Sequence, residues 1–125
     1  MALVLDAGGL IAVDRRNQWV RGLLLVSQHQ GVAVRTSSAV VAQVWRDGAR
    51  QANLARLLGT VEVASLDPAA GRRVGELLAR TASADVVDAH LALLVEPGDT
   101  VLTSDADDLA DLLRTRGVRA RLEEV

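Results

Sequence analysis

Apolar residues follow two rhythms along this chain. Short apolar runs at residues 1–6, 32–34 and 100–103 read as strands. Residues 61–64 alternate in the manner of a strand, and residues 118–122 read as a last strand at a sheet edge. Between them, apolar positions return at helical spacing. Residues 8–13 start a helix, and 18–29 form a second one with Trp19, Leu23 and Val26 in register. Helices are also predicted over 39–46, 49–58, 67–80, 84–95 and 107–114.

The punctuation agrees with this reading. Gly31, Gly59 and Gly117 stand at helix ends, where a left-handed residue is favoured. Thr36, Ser37 and Ser38 supply N-cap chemistry, and Asp67 followed by Pro68 is a capped helix start. Residues 96–99, Glu-Pro-Gly-Asp, form a turn. Strands alternating with helices predict an α/β sandwich. It has a mostly parallel sheet of about five strands, helices on both faces and right-handed crossovers.

At 125 residues, the chain is expected to form one domain over 1–125. Half of the residues are apolar, enough for a substantial core. The absence of cysteine excludes disulfides and thiolate metal sites and fits a reducing, cytoplasmic setting. Residue 1 runs directly into a strand without a basic leader, so no signal peptide is expected. The run 23–26 is far too short to cross a bilayer, so no membrane partner is expected. All 14 basic residues are Arg, which excludes any mechanism that needs an ammonium group. Net charge is −2, so no global basic field attracts nucleic acid. Trp19 and Trp45 are the only aromatic residues, too few for a base-stacking platform; packing or an interface suits them better.

The chemistry lies in the acids. Asp6 and Asp105 both end predicted strands, and ligands in open parallel sheets bind outside such ends. Asp85 and Asp88 share an apolar helix, three residues apart and therefore on one face, and Asp85 equally suits the N-cap or first turn of that helix. Two carboxylates about 4 Å apart repel by ~4 kcal/mol at an effective dielectric near 20. A cation that neutralises the cluster, or a proton held by one acid, makes it tolerable. An all-oxygen set suits Mg²⁺ or Mn²⁺ better than zinc. His90 lies two residues from Asp88 and faces elsewhere, so it is not read as a ligand. Asp107, Asp108 and Asp111 read first as a solvated charge run in a helix's opening turns.

Residues 5–12 (Leu-Asp-Ala-Gly-Gly-Leu-Ile-Ala), 85–92 (Asp-Val-Val-Asp-Ala-His-Leu-Ala) and 101–109 (Val-Leu-Thr-Ser-Asp-Ala-Asp-Asp-Leu) form an ordered set. Together they resemble the PIN-domain ribonucleases, most closely the VapC-type toxins of bacterial toxin–antitoxin pairs. The resemblance spans the chain and implies a PIN-like three-layer sandwich. It places Asp6, Asp88 and Asp105 as catalytic and metal-binding acids around Mg²⁺ or Mn²⁺. It further implies an endoribonuclease acting on RNA, a homodimer and inhibition by a cognate antitoxin protein. Trp19 and Leu23 are a candidate dimer surface.

One position departs from the family pattern. The second acid, usually Glu, falls at Gln43. An amide has similar reach and an oxygen for a metal, but it carries no charge and cannot act as a base. Three consequences stay open: Gln43 ligates through its carbonyl, Asp85 or Asp108 supplies the missing charge, or catalysis is weak or absent. The last would make the chain a PIN-like binding module. A phosphoacceptor receiver domain would share the sheet and the acidic edge. By resemblance, it needs a Lys after its last strand, which this chain lacks.

Overall fold

The computed structural model describes residues 1–125. The elements run β1 (Ala2–Leu5), α1 (Ala7–Asp14), α2 (Gln18–His29), β2 (Ala33–Ser37), α3 (Ser38–Val44) and α4 (Ala52–Leu58). They continue with β3 (Glu62–Ala64), α5 (Pro68–Ala79), α6 (Val86–Leu94), β4 (Thr100–Thr103), α7 (Ala106–Arg116) and β5 (Arg121–Glu124). The five strands form one sheet in the order β3-β2-β1-β4-β5. Every pairing is parallel, where the sequence predicts a mostly parallel sheet. Helices α1–α4 pack among themselves, as do α5–α7, giving the expected α/β sandwich.

The central strand explains this order. Every residue of β1 is buried, as befits a strand covered on both faces. Val4, Leu5, Val101 and Leu102 are fully enclosed in a core that also takes Leu10, Val20, Val40, Leu54, Leu91 and Leu109. From β1 the chain builds outward through β2 to β3, then returns to place β4 on the other flank of β1. The crevice beyond the carboxyl ends of β1 and β4 is therefore a topological switch point, where open α/β sheets bind ligands.

Among the boundaries that differ from the apolar pattern, three have a clear local cause. Strand β2 continues to Ser37, which is also the N-cap of α3, its Oγ accepting from the Ala39 N–H. Helix α4 starts at Ala52 because the Gln51 amide ties down the preceding turn. Its Oε1 accepts from the N–H groups of Arg46 and Asp47, and its Nε2 donates to the Val44 carbonyl. Strand β5 starts at Arg121, after the left-handed Gly117 has closed α7. No helix is long and apolar enough to cross a membrane.

A buried acid fastens the opposite edge of the sheet. Asp99 Oδ1 accepts from the Ala2 N–H at 2.7 Å, and Oδ2 accepts from the Glu96 N–H at 2.8 Å. Arg35 approaches the same carboxylate at 4.0 Å. Asp99 thus ties the start of β1 to the turn that leads into β4.

Candidate functional site

Asp6 follows the last residue of β1, and Asp105 stands just past β4. Since β1 and β4 are neighbours with Leu5 opposite Leu102, the two acids emerge side by side. Asp88 lies in the first turn of α6 and points into the same crevice. One carboxylate oxygen from each of Asp6, Asp88 and Asp105 lies within 4.8 Å of the others.

Asp6 is 3 % exposed and held on both oxygens. Its Oδ1 accepts from the Ala7 N–H at 2.7 Å, capping α1, and its Oδ2 accepts from the Thr103 hydroxyl at 2.7 Å. The Thr103 oxygen in turn accepts from the Asp105 N–H at 2.8 Å. One hydroxyl therefore links the first acid to the backbone that carries the third. The sequence marks Thr103 only as part of a motif; its place between two acids needs the strand pairing.

Asp88 is 7 % exposed, and burial is the main reason its carboxyl is pushed up to about 7. The charges of Asp85, Asp6, Asp105 and Asp108 push the same way, in that order. Burial also raises Asp6; the bonds from Thr103 and Ala7 oppose this, while Asp105 and Asp85 add to it. Both shifts express an unmet negative charge, the condition that a bound cation relieves. Oxygens on opposite sides of an octahedral Mg²⁺ are about 4.2 Å apart, so a small inward movement of the side chains would bring the three carboxylates onto one ion. Its all-carboxylate chemistry fits Mg²⁺ or Mn²⁺.

The supporting residues divide. Asp85 is exposed and serves as the N-cap of α6, its Oδ1 accepting from the Asp88 N–H at 2.9 Å. Its carboxylate is thus engaged by the backbone rather than gathered with the other three, although its charge reaches Asp88 and Asp6. Asp108 is exposed in the first turn of α7 and also acts on Asp88 through its field. Gln43 is exposed on α3.

His90 faces away from the cluster. It is buried, and its Nδ1 meets the Ser37 hydroxyl at 2.5 Å. Since Ser37 also caps α3, this contact joins α6, which carries Asp88, to the start of the helix that carries Gln43. Burial lowers the imidazole's basicity, and Arg73 adds to the effect. Trp19 and Trp45 are both exposed.

No family model and no curated protein matches this chain in sequence. Its fold is shared with solved structures. The chain aligns with one in the structure of VapBC2 from Rickettsia felis bound to a DNA fragment from their promoter. That match has a TM-score of 0.69 at 16% identity, over 100% of this chain and 99% of the other. It also aligns with a chain of FitAB bound to an IR36 DNA fragment, at a TM-score of 0.58 and 13% identity, over 98% and 94%. FitAcB from Neisseria gonorrhoeae gives a TM-score of 0.56 at 15% identity, over 95% and 96%. At these identities the likeness is one of fold.

Proposed function

We propose that this protein is a PIN-like endoribonuclease, the toxin of a toxin–antitoxin pair, using Mg²⁺ or Mn²⁺ held by Asp6, Asp88 and Asp105. The observation that carries this reading is the meeting of three carboxylates, from three distant segments, at the switch point of a parallel sheet. The order of the acid motifs and the names of the structural neighbours, VapBC2 and FitAB, support the same family.

A divalent ion bound there would supply a nucleophilic water and neutralise charge on the phosphodiester and its leaving oxygen. The residues of the chain prepare the place. Thr103 and the Ala7 N–H fix both oxygens of Asp6, so one ligand is oriented in advance. Burial and its acidic neighbours push the Asp88 carboxyl up to about 7, and a cation held beside it would favour the ionised form. Asp105 is exposed just past the end of β4, open to a ligand arriving from solvent. RNA is the substrate in this reading, with a homodimer, a cognate antitoxin and a cytoplasmic setting as its companions.

The test is cleavage of a labelled RNA with Mn²⁺ or Mg²⁺ by wild type, Asp6→Asn, Asp88→Asn and Asp105→Asn. The wild type is expected to cleave and each variant to lose most of that activity. Unchanged cleavage by Asp88→Asn would end the proposal. The exposed, uncharged Gln43 favours a second reading, a binding module with impaired chemistry. Wild type that does not cleave, beside a Gln43→Glu variant that does, would favour that module.

A further inference from the structure

The geometry assigns Gly8 a positioning role: its missing Cβ gives the Ser104 turn room to close and so sets the spacing of Asp6 and Asp105. This rests on the cation-binding reading of the cluster. A Cβ built on Gly8 would lie 2.8 Å from Ser104 Oγ, 2.9 Å from Ser104 Cβ and 2.9 Å from the Ser104 backbone nitrogen. Rotation of the serine side chain relieves only the first contact. The other two require the main chain of the β4–α7 turn to move.

Space, not backbone conformation, is what glycine supplies here. The positive-φ glycines are Gly31, Gly98 and Gly117, and Gly8 is not among them. Alanine would be the better helix former within α1. A Cβ on Gly71 or Gly75, in α5, meets nothing within 4 Å, so a place in a helix does not by itself produce the close approach. Gly9 lies next to the same strand, with a built Cβ 3.2 Å from the Leu102 carbonyl oxygen.

Ser104 sits between the two residues that join the acids. Thr103 on one side bonds Asp6, and Asp105 on the other donates its N–H to Thr103. Pushing Ser104 outward therefore strains this bridge and moves Asp105 away from Asp6. Gly8 touches no reacting group; it acts through the position of a carboxylate.

The experiment measures Mn²⁺ affinity by calorimetry, with thermal midpoints in parallel, for wild type, Gly8→Ala, Gly8→Ala/Ser104→Gly and the control Gly71→Ala. Crystal structures of wild type and Gly8→Ala accompany them. Gly8→Ala is expected to weaken affinity roughly tenfold or more, the usual scale for losing support behind a metal ligand. Ser104→Gly should restore part of the loss by removing two of the three contacts, and Gly71→Ala should bind as wild type does. Equal affinity in Gly8→Ala, or a double variant no better than Gly8→Ala in affinity or folding, overturns the assignment. A wild type that binds no Mn²⁺ would sink the metal-site reading itself. The crystal comparison would still decide Gly8: outward displacement of Ser104 and Asp105 supports its role, and unchanged positions overturn it.

Discussion

Replacing Asp88 by Asn should make the metal-free protein more stable at alkaline pH while removing its response to divalent ions. The folded protein holds this carboxyl up near 7, whereas its ordinary value is 3.8. Between those limits the folded state keeps a proton that the unfolded chain has released. Stability from this group is therefore full at acid pH, falls as pH rises through the window, and levels off above about 7. At ~1.4 kcal/mol per tenfold change in acidity, ionising Asp88 in the folded state costs about 4 kcal/mol. Asp6 is pushed upward as well, chiefly by burial and also by acidic neighbours, so this is an upper bound for the substitution. For a chain of this length each kcal/mol moves the thermal midpoint by about 4 °C.

His90 works in the opposite sense, because burial lowers its basicity from the usual 6.5. Its contribution is present above that value and lost as pH falls below it. The raw wild-type curve thus sums two trends, and the difference between wild type and Asp88→Asn isolates the acid. Urea denaturation in the presence of a chelator, at about pH 5 and about pH 8, measures it. The variant should gain on the wild type between the two conditions by a few kcal/mol. A difference that is the same at both pH values would refute the claim that Asp88 is held protonated by burial and by its acidic neighbours.

Four further outcomes are expected. Saturating Mn²⁺ at about 100 times its dissociation constant should stabilise the wild type by roughly 2.7 kcal/mol, seen as a rise in thermal midpoint. Asp105→Asn should lose most of that rise. Thr103→Val keeps the side chain's size but removes the hydroxyl between Asp6 and the Asp105 N–H. It should weaken Mn²⁺ binding by roughly 10–100-fold in a calorimetric titration. Asp99→Ala leaves the Ala2 and Glu96 N–H groups without their acceptor, and denaturation should show a loss of about 2–4 kcal/mol, with little change in Mn²⁺ affinity.

Features that depend on local periodicity were legible in the sequence. Helix 18–29 and strand 100–103 have the predicted limits, because caps and apolar spacing act within a few residues. That strands 1–6 and 100–103 both end in acids was legible too, but their adjacency was not, because it is set by the order of the sheet. Features set by distant partners were not legible. Asp99 reads as one member of a Glu-Pro-Gly-Asp turn; only the fold shows it accepting from Ala2, 97 residues away. The role of Ser37 as both strand end and helix cap depends on β2 pairing as far as that residue. Asp85 and Asp88 have the spacing of two residues on one helix face. The helix begins between them, which decides the two readings of Asp85 in favour of the cap. The narrow gap between Gly8 and Ser104 lies between segments 96 positions apart and has no local signature.

The most direct test is anomalous diffraction from a crystal of the wild-type protein soaked in Mn²⁺. A peak is expected in the crevice beyond β1 and β4, at bonding distance from oxygens of Asp6, Asp88 and Asp105. A well-ordered site with no peak at saturating Mn²⁺, or a peak that none of these three carboxylates touches, would contradict that expectation.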